Sequence, residues 1–284
     1  MHQTDFILTL SCPDRKGIVH KVSGVLLAHD GNIIDAQQFG DEETGRFFLR
    51  IHFSVPDPAV IESLTSDFSA VAETFHMQWR LHDAKKQARL LILVSRQGHC
   101  LNDLLFRIRS GQLTAQAVAI VSNHRDFEPL AQAYGITFHH LPVTPDNKEA
   151  QEKALLELIE REAIDLVVLA RYMQILSKSL CTALAGRAIN IHHSFLPSFK
   201  GARPYYQAHA RGVKIIGATA HYVTADLDEG PIIEQDIERV DHAMSAKDMT
   251  QVGSDIESLV LARAVRAHIE HRVLINGSRT VVFR

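Results

Sequence analysis

The runs RLLILVS (89–95), AVAIVSN (117–123), ITFHHLP (136–142) and DLVVLA (165–170) decide the fold of the larger part of this chain. Each is continuous in its apolar content, short enough for a strand, and separated from the next by a longer helical stretch. Strands of this kind are buried on both faces, as when helices cover a parallel sheet from either side. A doubly wound α/β domain with a mostly parallel sheet is expected. In such sheets ligands sit beyond the carboxyl ends of the strands, where loops meet helix N-termini.

Upstream the pattern changes. FILTLSC (6–12) is a β-rich run, and PDRKGIVHKVSGVLLAHDG (13–31) places Ile18, Val22, Val25 and Leu26 near helical spacing before stopping at Gly31. NIIDAQQF (32–39) and RFFLRIHFSV (46–55) read as a hairpin about the 41–45 turn, and a second helix with MQWRL (77–81) completes a βαββαβ order. That order resembles the ferredoxin-like fold, and the phrase from Pro13 to Val19 resembles the ACT domain, a regulatory module that binds amino acids. A glycine beside a helix N-terminus lets backbone N–H groups approach a carboxylate. An amino-acid effector is therefore expected on Asp14, Arg15, Lys16, Gly17 and Ile18. The polar stretch 82–88 reads as a linker, giving domains 1–84 and 85–284. Beyond Met244 a long helix is expected over about 248–271, then a hairpin across Asn276-Gly277.

With 284 residues, 46% hydrophobic and 22% charged, the chain has the composition of a globular protein able to bury two cores. A net charge of -3 offers no general field for nucleic acid. Three scattered cysteines and no apolar leader or span imply a reducing compartment, the cytoplasm, and no membrane partner. G-x-G-x-x-G and P-loop motifs are absent, so no nucleotide cofactor is expected. The 17 histidines lack H-E-x-x-H or comparable spacing, so no metal is expected either.

The segment NIHHSFLPSFKG (190–201) follows a strand-like run over 187–191 and so lies at a sheet's carboxyl edge. Alternation puts Asn190 and His192 on one side, an amide and an imidazole able to hold an oxyanion. A further strand over 215–224 carries His221, and TADLDEGP (224–231) presents acids beside a Gly-Pro turn. Alone, each of these residues would pass for a structural hydrogen-bonding group. Together, N-I-H-x-S-x-L-P and L-D-x-G-P in this order resemble the formyl-transfer family, whose members include glycinamide ribonucleotide and methionyl-tRNA formyltransferases. The resemblance covers about 89–284. It implies a Rossmann-like formyltransferase domain with Asn190, His192 and Asp228 as catalytic residues. It also implies a pterin held by loops containing Met173, Gln174, Ile175 and Leu176, and His221, Tyr222, Val223 and Thr224. Ser194, Lys200, Arg203 and Tyr206 would shape the acceptor side.

An ACT-like domain ahead of such a unit resembles the deformylase branch of the family, in which water takes the formyl group of 10-formyltetrahydrofolate. The products would be tetrahydrofolate and formate for purine synthesis. The first βα turn, 95–100, lacks the glycine-rich phosphate loop of the glycinamide ribonucleotide enzymes, and the tail shows no basic RNA-binding domain. A glycinamide ribonucleotide transferase and a non-catalytic folate or amino-acid sensor are the alternatives, although a sensor would be expected to lose the triad. The resemblance further implies a homodimer or homotetramer and an effector such as glycine or methionine.

Overall fold

The computed structural model describes residues 4–197 and 204–284. Lys200 and Arg203 lie outside the described residues. The chain forms two compact units.

The first unit contains β1 (Thr4–Pro13), α1 (Ile18–Ala28), β2 (Asn32–Asp41), β3 (Arg46–Val55), α2 (Val60–Phe75) and β4 (Gln78–Asp83). Its antiparallel sheet has the order β2-β3-β1-β4. Ile18, Val22 and Leu26 form the buried stripe of α1, and Leu64, Phe68 and Ala72 that of α2. A spacing of four keeps such residues on one helix face. Both stripes join Leu8, Leu10, Leu49, Ile51 and Phe53 from the sheet in one core. Burying each Leu or Phe contributes about 1.5–3 kcal/mol, so this core holds the βαββαβ order without any disulfide.

The tail departs from expectation. Residues Glu270–Asn276 and Val281–Arg284 group with the first unit, not with the second. Asp41 at the end of β2 is buried, and its carboxylate accepts a 2.6 Å bond from Asn276 Nδ2. Arg50, also buried, donates to the Glu270 carbonyl at 3.1 Å. The tail thus adds to local partners, since Asp41 also accepts from Thr44 Oγ1 at 2.8 Å and Arg50 donates to Asp35 at 3.4 Å. Its strands β12 (Val273–Asn276) and β13 (Arg279–Val282) form the expected hairpin.

The second unit contains β5 (Ala88–Val94), α3 (His99–Arg109), β6 (Ala115–Ser122), α4 (Glu128–Tyr134), β7 (Thr137–His140), α5 (Lys148–Arg161) and β8 (Leu166–Leu169). It continues with α6 (Lys178–Ala183), β9 (Ala188–His192), α7 (Pro204–Ala210), β10 (Ile215–Tyr222), β11 (Ile232–Arg239) and α8 (Ala246–Ile269). The sheet order is β11-β10-β9-β8-β5-β6-β7. Strands β5 to β9 pair in parallel, while β10 and β11 extend the sheet antiparallel. Strands β5 and β8 are buried as their continuous apolar runs imply, whereas β7 is the half-exposed edge. An edge strand does not need two apolar faces, which is why His139 and His140 are tolerated there.

The chain moves outward through β6 and β7, then restarts beside β5 with β8. The order therefore reverses between β5 and β8, and the loops after them diverge into the crevice where ligands bind in open α/β sheets. Those loops are stitched together: Ser95 N donates to the Arg171 carbonyl at 3.1 Å, and Met173 N to Ser95 Oγ at 3.0 Å. Among the described residues no helix is long and apolar enough to cross a membrane.

Candidate active site

Register in the antiparallel pair β9–β10 builds the centre of the site. Asn190 lies opposite His221, and His192 opposite Thr219. Asn190 and His192, two residues apart, share a face with His221 as their cross-strand neighbour. Thr219 is fully buried and anchors the segment leaving β9: its Oγ1 accepts from Leu196 N at 3.0 Å and donates to the Ser194 carbonyl at 2.9 Å.

Asp228 comes from the loop after β10 and has a left-handed backbone, φ +58°. That loop folds back tightly, with Tyr222 N donating to the Pro231 carbonyl at 2.9 Å. A Cβ at Gly230 would lie 1.7 Å from the Tyr222 carbonyl oxygen, so only glycine fits. The L-D-x-G-P signature is therefore a steric requirement for delivering Asp228 to the end of β9.

Asp228 Oδ2 lies 3.2 Å from His192 Nδ1, and Oδ1 lies 3.7 Å from His221 Nε2. Burial alone would raise the Asp228 carboxyl, but bonds and charge from His192 and His221 outweigh it and hold it well below the usual carboxylate range. A carboxylate only accepts, so His192 Nδ1 carries the proton of that bond. His192 Nε2 is buried and has no partner among the described residues. His221 Nδ1 faces the Tyr222 carbonyl at 2.9 Å and must donate to it. Its Nε2 donates to Asp228 Oδ1 only in the charged ring; in the neutral ring it accepts from Asn190 Nδ2 at 3.3 Å. That bond orients the Asn190 amide and leaves its second N–H to donate elsewhere. The three expected catalytic residues and His221 thus converge, with His221 acting on Asn190 and Asp228 from behind.

The other expected residues are placed less uniformly. Met173 and Ile175 are 58% and 63% exposed, so they are available as walls and are not packed in the core. Gln174, Ile175 and Leu176 line a cavity with Tyr172, Leu141 and Gln151; none of the triad lines it. The Tyr222 phenol is buried and bonds His268 at 2.7 Å, while the N–H groups of Tyr222 and Val223 donate to Pro231 and Ala188. These two backbone donors are engaged within the protein. Thr224 Oγ1 caps its own turn through the Asp226 carbonyl. Ser194 is buried and Tyr206 exposed on α7. Of the expected effector residues, Asp14 to Gly17 are exposed between β1 and α1, Gly17 has φ +91°, and Ile18 is core.

Sequence reasoning missed Arg171, Glu257, Tyr205 and the partners of Gln97 and His99. Glu257 Oε2 lies 2.7 Å from His99 Nε2 and 3.3 Å from Arg171 Nε, and Oε1 accepts from Tyr205 Oη at 2.7 Å. One signal was present: a glutamate on the apolar stripe of α8 between Ile256 and Val260. His99, Cys100 and Glu257 bring ligand-type atoms within 4.8 Å of one another. The oxygens of Glu257 are already taken by three donors, and Arg171 supplies the positive charge there.

Residues 88–265 match the Formyl transferase family and 6–73 the ACT domain family. Formyltetrahydrofolate deformylase of Corynebacterium sp. (strain P-1) is 51% identical, covering 99% of both chains. The chain belongs to the formyltetrahydrofolate deformylase family. The family's Bacillus subtilis (strain 168) member is 49% identical over 97% of this chain and 93% of its own. The crystal structure of the Burkholderia mallei deformylase superposes with a TM-score of 0.95 at 53% identity, covering 99% of this chain and 100% of that one. Glycinamide ribonucleotide transformylase 1 from Symbiobacterium toebii is a more distant relative: TM-score 0.65, 31% identity, 70% of this chain and 95% of its own. Similarity along the whole length therefore lies with the deformylase family.

Proposed function

We propose that this chain hydrolyses 10-formyltetrahydrofolate to tetrahydrofolate and formate. The observation that carries the proposal is His192, whose Nδ1 is fixed by Asp228 while the buried Nε2 has no partner among the described residues, two residues along β9 from Asn190. Water adds to the formyl carbon, the C–N bond breaks, one water proton goes to the leaving folate nitrogen, and the hydroxyl remains on formate. The tetrahedral intermediate carries an oxyanion. Asn190 supplies an amide donor for it, His192 Nε2 supplies a second once it has taken a proton from the attacking water, and losing one such donor typically lowers turnover about 10²- to 10³-fold. Asp228 keeps the imidazole in one tautomer, and folate and water are the only reactants. Met173 and Ile175, exposed and apolar, suit the faces of a pterin, beside the strand end bearing His221 to Thr224.

Support for water as acceptor comes from the first βα turn, where Gln97 and His99 are committed to Arg171 and Glu257 and no glycine-rich phosphate loop exists. The formate would feed purine synthesis and balance one-carbon pools. We further assign the 14–18 loop to a small amino acid, glycine or methionine, on the strength of its exposed backbone at a helix start. A homodimer or homotetramer fits the ACT fold, and a reducing, cytoplasmic setting fits three separate free cysteines.

Formate release from 10-formyltetrahydrofolate, with and without glycinamide ribonucleotide and beside a His192→Ala control, tests the assignment. Acceptor-independent release lost in the control supports the hydrolase. Release only with the ribonucleotide makes the chain a transferase, and no release under either condition favours a sensor.

A further inference from the structure

A buried ion pair stands behind His192. Glu257 is 1% exposed and ionised: burial raises its carboxyl, but His99, Arg171 and Tyr205 together outweigh that. Arg171, itself buried, divides its donors among three acceptors. Nε faces Glu257, Nε and Nη2 reach Gln97 Oε1 at 2.9 and 2.6 Å, and Nη1 makes a close contact with His193 Nδ1. A guanidinium only donates, so His193 Nδ1 bears the lone pair, and a neutral ring carries its proton on Nε2. That ring stacks on His192, with centroids 4.9 Å apart and planes at 21°.

We propose that Glu257 is a positioning residue for His192, acting through Arg171 and His193; this rests on His192 being the catalytic imidazole. The bond to Asp228 holds His192 at one atom and leaves the ring free to tilt about it. The stacked face of His193 removes that freedom, Arg171 fixes the His193 ring, and Glu257 holds Arg171 and cancels its charge. The backbone agrees: Arg171 is a non-glycine residue at φ +65°, a left-handed conformation that L side chains rarely adopt. Buried ion pairs are weak sources of net stability, and local strain is kept where a side chain must be aimed.

Among the described residues, the titratable groups around His192 come from four directions. Asp228 faces it from the loop after β10, His221 stands behind Asp228, and His193 covers one face. Arg171, Glu257, Tyr205 and His99 form the layer beyond, from the loop after β8 and from α8, α7 and α3. With Glu257 ionised, its pair with Arg171 is neutral. Replacing Glu257 by glutamine leaves a cation behind the stack, which disfavours a second positive charge on His192.

The test uses the full chain carrying Glu257→Gln, Glu257→Asp or His193→Phe, with kcat and KM for 10-formyltetrahydrofolate and an NMR titration of the His192 ring. Glu257→Gln should lower kcat roughly 10- to 100-fold, the scale of a displaced catalytic group, leave KM unchanged, and move the His192 midpoint to lower pH. Glu257→Asp keeps the charge and should return the midpoint toward the parent. A folded Glu257→Gln with parental midpoint and kcat overturns the proposal. A shifted midpoint with parental kcat upholds the coupling but overturns His192 as the catalytic imidazole. Should Glu257→Gln fail to fold, His193→Phe leaves the ion pair whole and keeps a stacked ring. It should still lose kcat at unchanged KM, and parental kcat there overturns the proposal.

Discussion

Replacing Asp228 by asparagine isolates the effect of its charge from that of its shape. The amide oxygen can still accept from His192 Nδ1 at the observed 3.2 Å, so the loop and the bond are retained. A bond to a charged group is worth about 1.5–3 kcal/mol and a neutral one about 0.5–1.5. The difference, about 1–2 kcal/mol, sets a floor of roughly 5- to 30-fold on the loss of turnover. If the imidazole becomes cationic at the transition state, Coulomb's law at this distance and an effective dielectric near 20 gives about 5 kcal/mol as a ceiling. The carboxylate is only 14% exposed and is little screened. We expect kcat for formate release to fall about 10- to 10³-fold at unchanged KM. Acid stability gives a second readout. The Asp228 carboxyl is held below its ordinary value in the fold, so its stabilising contribution is complete above the ordinary range, near 4, and is lost as pH falls through the lowered value. Urea midpoints of the parent should drop in strong acid, and those of Asp228→Asn should drop less. Parental kcat in a folded Asp228→Asn would refute the assignment.

Other outcomes follow from single contacts. Asn190→Ala should cost about 10²- to 10³-fold in kcat with an unchanged melting temperature, measured by formate release and thermal unfolding. Gly230→Ala must displace the Tyr222 carbonyl, so activity and His192 geometry should be lost together; an active Gly230→Ala enzyme would show that the turn has slack. His82 stacks on His271 at 3.5 Å, and burial, with Arg80 and Lys86 nearby, pushes its imidazole down to about 4. The unfolded chain binds this proton more readily, so stability falls as pH drops from about 6.5 toward 4. His82→Gln should flatten that part of a urea-midpoint profile. Phe68→Ala should cost about 3–5 kcal/mol by chemical unfolding, because its ring is fully buried in the first core.

What the sequence reveals about this protein depends on how far apart the cooperating residues lie in the chain. The βαββαβ unit and the buried strands β5 and β8 are legible because each element writes its own period. The triad is legible because Asn190 and His192 share one strand end and Asp228 follows the strand paired with it, so two local motifs suffice. The edge strand β7 was read as buried because a short run does not state which strands will flank it. The fate of the tail was hidden because Asn276, which donates to Asp41 beside the local Thr44, lies at the other end of the chain. The Arg171 network is the extreme case: its members come from the turn after β5, the loop after β8, the end of β9, and helices α3, α7 and α8. No spacing connects them. They meet because the strand order reverses between β5 and β8, which opens the crevice, and because α8 turns a single acid toward it. A carboxylate on an otherwise apolar helical stripe costs stability unless something cationic awaits it, so Glu257 demands a partner such as Arg171 before any coordinates are known. Only the topology says which cation, and that it lies one stacked ring away from His192.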